Sequence, residues 1–210
     1  MQDRSTERLD GFTDAAFAFA VSLLVVGGGS TGPPDSADLF RRLTVLPAFA
    51  VGFAILAMFW HAHVRWRRVR GAGDGVSVLL TMALVFLVLV YVFPLGAMAK
   101  SLSALATGRG AGIKGSIGDL FTVYGAGFLA MSAVLAALFA NALRNPELTV
   151  GSRQAVRGEM IIWLILAGSA VISTALAAAG GGWQFAAPWV YALLPPVIGL
   201  FAWRWRWGSA

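Results

Sequence analysis

The chain has 210 residues, of which 58% are hydrophobic and only 12% charged. A soluble domain carries about a quarter of its residues charged, so this balance excludes an ordinary water-soluble globule and points to a polytopic membrane protein. The net charge of +6 is what cytoplasmic flanks and anionic headgroups account for, which sets nucleic-acid binding aside, and the lack of cysteine excludes a disulfide framework.

The chain opens polar, with Arg8, Asp10, Phe12, Thr13 and Asp14 ahead of an apolar run over 15–26. Asp3, Glu7, Asp10 and Asp14 dilute any basic leader, and the run ends in Gly27-Gly-Gly-Ser-Thr-Gly-Pro-Pro34 with no small-residue cleavage site. It therefore reads as a retained helix and not a signal peptide. Six spans are predicted, over 11–27, 43–63, 76–98, 117–140, 160–179 and 185–203, in one domain covering 5–207. Each is near the ~20 residues a crossing helix needs. Residues 35–42 open the second helix outside the hydrocarbon core. Pro47 falls in that span's first turns, where proline is tolerated, and Pro94 predicts a kink near the end of the third. A loop rich in glycine, serine and threonine follows over 100–118. Asn141, Arg144 and Asn145-Pro146 close the fourth span, and Gly180-Gly-Gly182 stops the fifth.

Basic residues set the orientation. With both termini on one side, that side holds Arg4, Arg8, Arg65, Arg67, Arg68, Arg70, Arg144, Arg153, Arg157, Arg204 and Arg206, against Arg41, Arg42, Lys100, Arg109 and Lys114 on the other. The expectation is a multi-pass protein of the cell membrane with both termini cytoplasmic. Trp66, Trp203, Trp205 and Trp207 on that side, and Trp183 and Trp189 opposite, read as interfacial anchors. No strong internal repeat is visible, which speaks against a two-repeat transporter.

Wound at about 100° per residue, the first span puts Phe19, Ser22, Leu23 and Val26 within roughly 60° of one line and Asp14 about 140° from Phe19. Periodicity alone is satisfied by a buried or lipid-facing stripe. The small flanking residues Ala15, Ala16, Ala18 and Ala20 also allow neighbouring helices to approach closely, as a bundle around an axis requires, and apolar rings at such an axis gate by dewetting. Asp14 is the one acid at the hydrocarbon edge and must be partnered. Trp60 and His63, three apart at the end of the second span, present two N–H donors on one face. They serve either to brace the first helix against the second or, with His63 titrating, to relay protons.

His61 and His63 are two apart and diverge, so a metal site is not expected. No hydrolase, phosphate-loop or dinucleotide signature is present, and neither is Thr-Val-Gly-Tyr-Gly; the chain is not expected to be an enzyme or to hold a cofactor.

Arg8…Phe12-Thr13-Asp14, followed by Ala-Ala-Phe-Ala-Phe-Ala, resembles the R-x-x-x-F-S-D signature of the transmembrane protein 175 family of endosomal and lysosomal potassium channels and their prokaryotic relatives. Trp60-His61-Ala62-His63 resembles that family's W-x-x-H element. The resemblance implies an all-α, six-span homotetramer with a central pore lined by the first helix, conducting potassium passively as a leak-type channel. It implies a constriction and gate at Phe19, with Leu23 and Val26 as further apolar layers and Ser22 as the polar, selectivity-bearing ring. It also implies a structural hydrogen-bond network of Arg8, Phe12, Thr13, Asp14, Trp60 and His63. Partners would be further copies of the chain, membrane lipids and monovalent cations, with potassium as the permeant species. Thr13 stands for the usual serine, Ser22 for threonine, and Phe19 for isoleucine or leucine. The alternatives are a proton-conducting channel or proton-coupled transporter using Asp14 and His63, and a non-conducting structural membrane protein.

Overall fold

The structure, a computed structural model, describes residues 2–27, 36–70, 74–107 and 117–207. Every regular element among them is helical: α1 Gln2–Gly27, α2 Ser36–Arg70, α3 Gly75–Thr107, α4 Ile117–Ala142, α5 Val150–Ala179, a 3-10 turn Gly181–Phe185, α6 Ala187–Ala192 and α7 Leu194–Trp207. Five stretches among the described residues are long and apolar enough to cross a bilayer: Glu7–Val26, Gly75–Met98, Ile117–Ala142, Val150–Ala179 and Gly181–Trp205. The protein is thus an all-helical, multi-pass membrane protein. Residues 28–35 and residues 108–116 of the predicted 100–118 loop, with Arg109 and Lys114, lie outside the described residues, as do the side chains of Arg4, Arg41, Arg42, Lys100, Arg206 and Trp207.

Several element boundaries differ from the sequence expectation. The second helix begins at Ser36, in line with the expected opening over 35–42, so Pro47, in the first turns of the expected span, lies deep inside the helix itself. Pro47 removes one ladder hydrogen bond there, but the helix continues on both sides. The third helix runs through Pro94 to Thr107, well into the expected loop. The fifth begins ten residues early, at Val150, because Thr149 caps it: its hydroxyl accepts from the Ser152 backbone N–H at 3.2 Å. That bond satisfies one of the orphan donors of the first turn. The fifth helix ends as expected, with Gly180 and Gly181 at φ of 68° and 55°, a conformation glycine adopts without steric cost.

The sixth span is not one helix. It breaks at Leu193, between α6 and α7. Pro195 and Pro196 supply no N–H to the carbonyls of Tyr191 and Ala192, so two successive ladder bonds cannot form. Ser173 on α5 donates to the carbonyl of Ala187, the first residue of α6, at 2.9 Å.

The most extensive packing is α4 against α5, while α3 packs on α1, α2 and α4. Lipid tails give helices no hydrophobic reason to associate, so close van der Waals contact does the holding. Gly125 supplies it between α4 and α5, where a Cβ would collide with the Thr174 hydroxyl. An aromatic spine fills the centre. Phe59 lies 5.3 Å from Trp163 and 5.4 Å from Phe128, Tyr124 lies 5.4 Å from Tyr91, and Tyr191 lies 5.4 Å from Tyr124. Rings from α2, α3, α4, α5 and α6 meet there, each pair adding about 0.5–1.5 kcal/mol beyond the area it buries.

Candidate functional site

The site is α1 and the basic end of the bundle against which it is braced. Five side chains of α1, Thr13, Ala16, Phe17, Ala20 and Leu24, are buried against the protein. They lie within about 100° of arc, and α2 and α3 are the helices they meet. The small Ala16 and Ala20 permit that approach. Gly52 of α2 admits the tip of Leu24: a Cβ on Gly52 would stand 2.9 Å from it.

The opposite face of α1 has no cover among the described residues. It carries Arg8, Gly11, Phe12, Ala15, Ala18, Phe19, Ser22, Val25 and Val26, all exposed. Phe19 is 57% exposed and Val26 73%. This face is the stripe read from the sequence, with one difference. Leu23 lies on its edge and is half-buried, packed against the core. The Ser22 hydroxyl donates to the Ala18 carbonyl one turn back at 3.0 Å, which leaves its oxygen lone pairs facing outward.

Asp14 borders this face and is bonded to the neighbouring helix. Trp60 Nε1 donates to Asp14 Oδ1 at 2.8 Å, the brace expected from the sequence. His63 is not a second donor to Asp14. It is buried and turned to α3, with Nε2 at 3.2 Å from Thr81 Oγ1. The reason is its place on α2: three residues past Trp60, it has rotated toward the groove between α2 and α3. Thr13 donates to the Leu9 carbonyl at 2.8 Å and is buried, whereas Phe12 and Arg8 are exposed on the open face. The expected network therefore divides. Trp60 and Asp14 join, Thr13 and His63 are each satisfied elsewhere, and Arg8 and Phe12 face outward.

A second brace escaped the sequence reading. Arg67 Nε donates to Asp10 Oδ1 at 2.7 Å, and its Nη2 reaches Oδ2 at 3.3 Å. Arg67 is seven residues past Trp60 and Asp10 four before Asp14, so the two pairs lie about two turns apart on α2 and one turn apart on α1, the long arginine side chain spanning the difference. In the sequence Arg67 stands out only as one of the basic residues of the predicted cytoplasmic side. Trp66, expected at the lipid interface, is instead wholly buried. Its ring lies 5.2 Å from His63 and 5.6 Å from the Arg67 guanidinium, because α2 continues as helix through Arg70 and turns it inward. Trp183, Trp189 and Trp203 are exposed.

Neighbouring contacts complete this end. Arg65 pairs with Glu159 at 2.6 Å. Asp74 accepts from the backbone and hydroxyl of Ser77, from Asn141 and from Arg70. These donors hold its carboxyl well below the ordinary value, the Ser77 hydroxyl contributing most. The end of α2, the start of α3, the end of α4 and the start of α5 thus meet at one end of the bundle, with the described arginines of the predicted cytoplasmic side. Among the described residues no three His, Asp or Glu side chains converge as a metal site would need.

Comparison with known proteins agrees with this geometry. A family model described as "Endosomal/lysosomal potassium channel TMEM175" matches residues 8–94. A curated "Potassium channel" of Marivirga tractuosa is 31% identical over 101 residues, 48% of this chain and 40% of its own length; the match thus spans less than half of that relative. Among solved structures, a variant of the potassium channel MtTMEM175 in complex with a nanobody–MBP fusion superposes with a TM-score of 0.81 at 25% identity, over 93% of this chain and 91% of that one. A lysosomal potassium-selective channel TMEM175 homolog from Chamaesiphon minutus shares the fold, with a TM-score of 0.66 at 21% identity over 96% and 98%. The matched segment contains both braces and the open face of α1, and the shared fold covers nearly the whole chain: over residues 8–94 the chain is similar to the TMEM175 family, and its fold is similar to that of the solved MtTMEM175 variant.

Proposed function

We propose that the chain is a potassium-selective, leak-type channel that works as a homotetramer, the open faces of four α1 helices enclosing a central pore. The observation that carries this reading is the uncovered face of α1. A helix that buries Thr13, Ala16, Phe17, Ala20 and Leu24 on one face and leaves the bulky Phe19 and Val26 exposed on the other is completed by copies of itself around an axis. In that arrangement Phe19 is the constriction, Val26 and the inward edge of Leu23 form further apolar layers, and Ser22 is the polar ring that replaces part of an ion's hydration. Trp60–Asp14 and Arg67–Asp10 fix the rotation of α1, and therefore what faces the pore. The relatives named for potassium conduction support the permeant ion. In this reading α2 also crosses the bilayer, giving six spans, and the basic end faces the cytoplasm with both termini.

The test is ion flux from purified protein in liposomes. Phe19→Ala shortens the side chain at the constriction and is expected to raise potassium flux severalfold over wild type. Unchanged flux removes Phe19 from that role. A proton-coupled transporter would lose uptake in Asp14→Asn even where the variant remains folded. A channel braced by Asp14 keeps residual flux in that variant, with reduced thermal stability.

A further inference from the structure

Far from α1, the beginning of α5 and the end of α7 enclose a cleft of about 680 Å³. Its α5 wall is Val150, Arg153, Gln154 and Arg157, and its α7 wall is Val197, Leu200, Phe201, Arg204 and Trp205. Both sets follow the 3–4 spacing of a single helix face, so the cleft is a furrow between two helices and runs along the bundle. Three of its side chains are arginines and none is acidic. Arg157 and Arg204 are exposed. Arg153 is anchored, donating to the Leu143 carbonyl at 2.7 Å and to the Asn145 carbonyl at 3.1 Å. Glu159, the acid closest in sequence on α5, is engaged by Arg65.

The charges and the apolar residues are separated by depth. Arg153, Arg157 and Arg204 belong to the basic end of the bundle. Val197, Leu200 and Phe201 precede Arg204 on α7 and so lie progressively further into the bilayer. Gly158 lets α7 close the furrow's base: a Cβ there would stand 2.9 Å from Trp205 Nε1.

We propose that this cleft binds an anionic phospholipid, its phosphate held by Arg157 and Arg204 beside the anchored Arg153, and one acyl chain laid along Val197, Leu200 and Phe201. Guanidinium groups suit phosphate oxygens in fork geometry, and basic pockets between membrane helices bind lipid headgroups in this way. A soluble phosphate would use the arginines but leave the apolar wall uncovered. The site stands apart from the α1 face and does not depend on the ion pathway.

The test is lipid retention by the purified, detergent-solubilised protein, read by native mass spectrometry with phosphatidylglycerol and phosphatidylcholine offered in equal amounts. Wild type is expected to retain phosphatidylglycerol preferentially. R157Q/R204Q is expected to lose that preference by roughly tenfold, while Arg68→Gln, an exposed arginine of α2, keeps it. Leu200→Trp, which fills the furrow without altering charge, is expected to lose bound lipid as well, and decides the matter should the double variant fail to fold. Equal retention of the two lipids by wild type, or undiminished phosphatidylglycerol in R157Q/R204Q, overturns the proposal. Displacement of the lipid by millimolar inorganic phosphate assigns the arginines to a soluble anion and also overturns it.

Discussion

At the scale of single residues, the polar side chains at the basic end show how a membrane protein satisfies charge at the edge of hydrocarbon. Asp14 has Trp60 and Asp10 has Arg67, so neither of these two carboxylates is left to be desolvated alone. Asp74 has four donors and lies just outside the span that begins at Gly75. Its carboxyl is depressed from 3.8 in the folded protein. A depressed carboxyl contributes stability that is present above its unfolded value and disappears as pH falls toward its folded one. Asp74→Asn is therefore expected to lower the melting temperature at neutral pH by roughly 2–4 °C, because solvent screening limits so exposed a group to about 1 kcal/mol. The gap between variant and wild type should narrow as pH drops below about 4. Melting curves in detergent across that range check it; a gap that is constant with pH would mean the carboxylate is not responsible.

At the scale of elements, glycine governs how closely helices approach, and not all glycines are equivalent. Gly125 faces Thr174 and Tyr191 across the α4–α5 contact, whereas Gly168, on the open side of α5, has nothing within 4 Å. Gly125→Leu is expected to force α4 from α5 and destabilise the protein by about 1–3 kcal/mol. Gly168→Ala is expected to be neutral or to stabilise it by a few tenths of a kcal/mol, as helix propensity favours alanine. Thermal unfolding of the two variants checks both; equal effects would show that the α4–α5 contact is not tight. The same scale explains the broken last span. The α6–α7 break falls where Pro195 and Pro196 remove consecutive donors, and the Ser173 bond to Ala187 ties the start of α6 to α5.

At the scale of the whole molecule, one chain leaves a continuous face of α1 uncovered, and the proposed tetramer covers it. The absence of cysteine makes the arrangement easy to probe. Ser22→Cys, at the centre of that face, is expected to form covalent dimers on mild oxidation in the membrane, since four α1 helices would bring this position together at the axis. Val171→Cys, exposed on α5, is expected to remain monomeric. Non-reducing electrophoresis reads both, and a Ser22→Cys protein that stays monomeric places another helix at the axis.

The amino-acid sequence by itself determined that this is a helical membrane protein, because hydropathy and glycine or proline punctuation act locally. It also determined which face of α1 is bulky, because a helix has one period, and which indole reaches Asp14, because Trp60 sits at matching depth. It did not determine where α5 begins, since Arg153 and Arg157 look like loop until Thr149 is seen to cap a helix through them. Nor did it show that His63 turns to Thr81, that Arg67 holds Asp10, or that Trp66 belongs to the core. Those outcomes depend on the rotation of one helix against two neighbours. Only tertiary packing sets that angle, because side chains spaced three or four apart on one helix can face different partners once a third helix closes the groove.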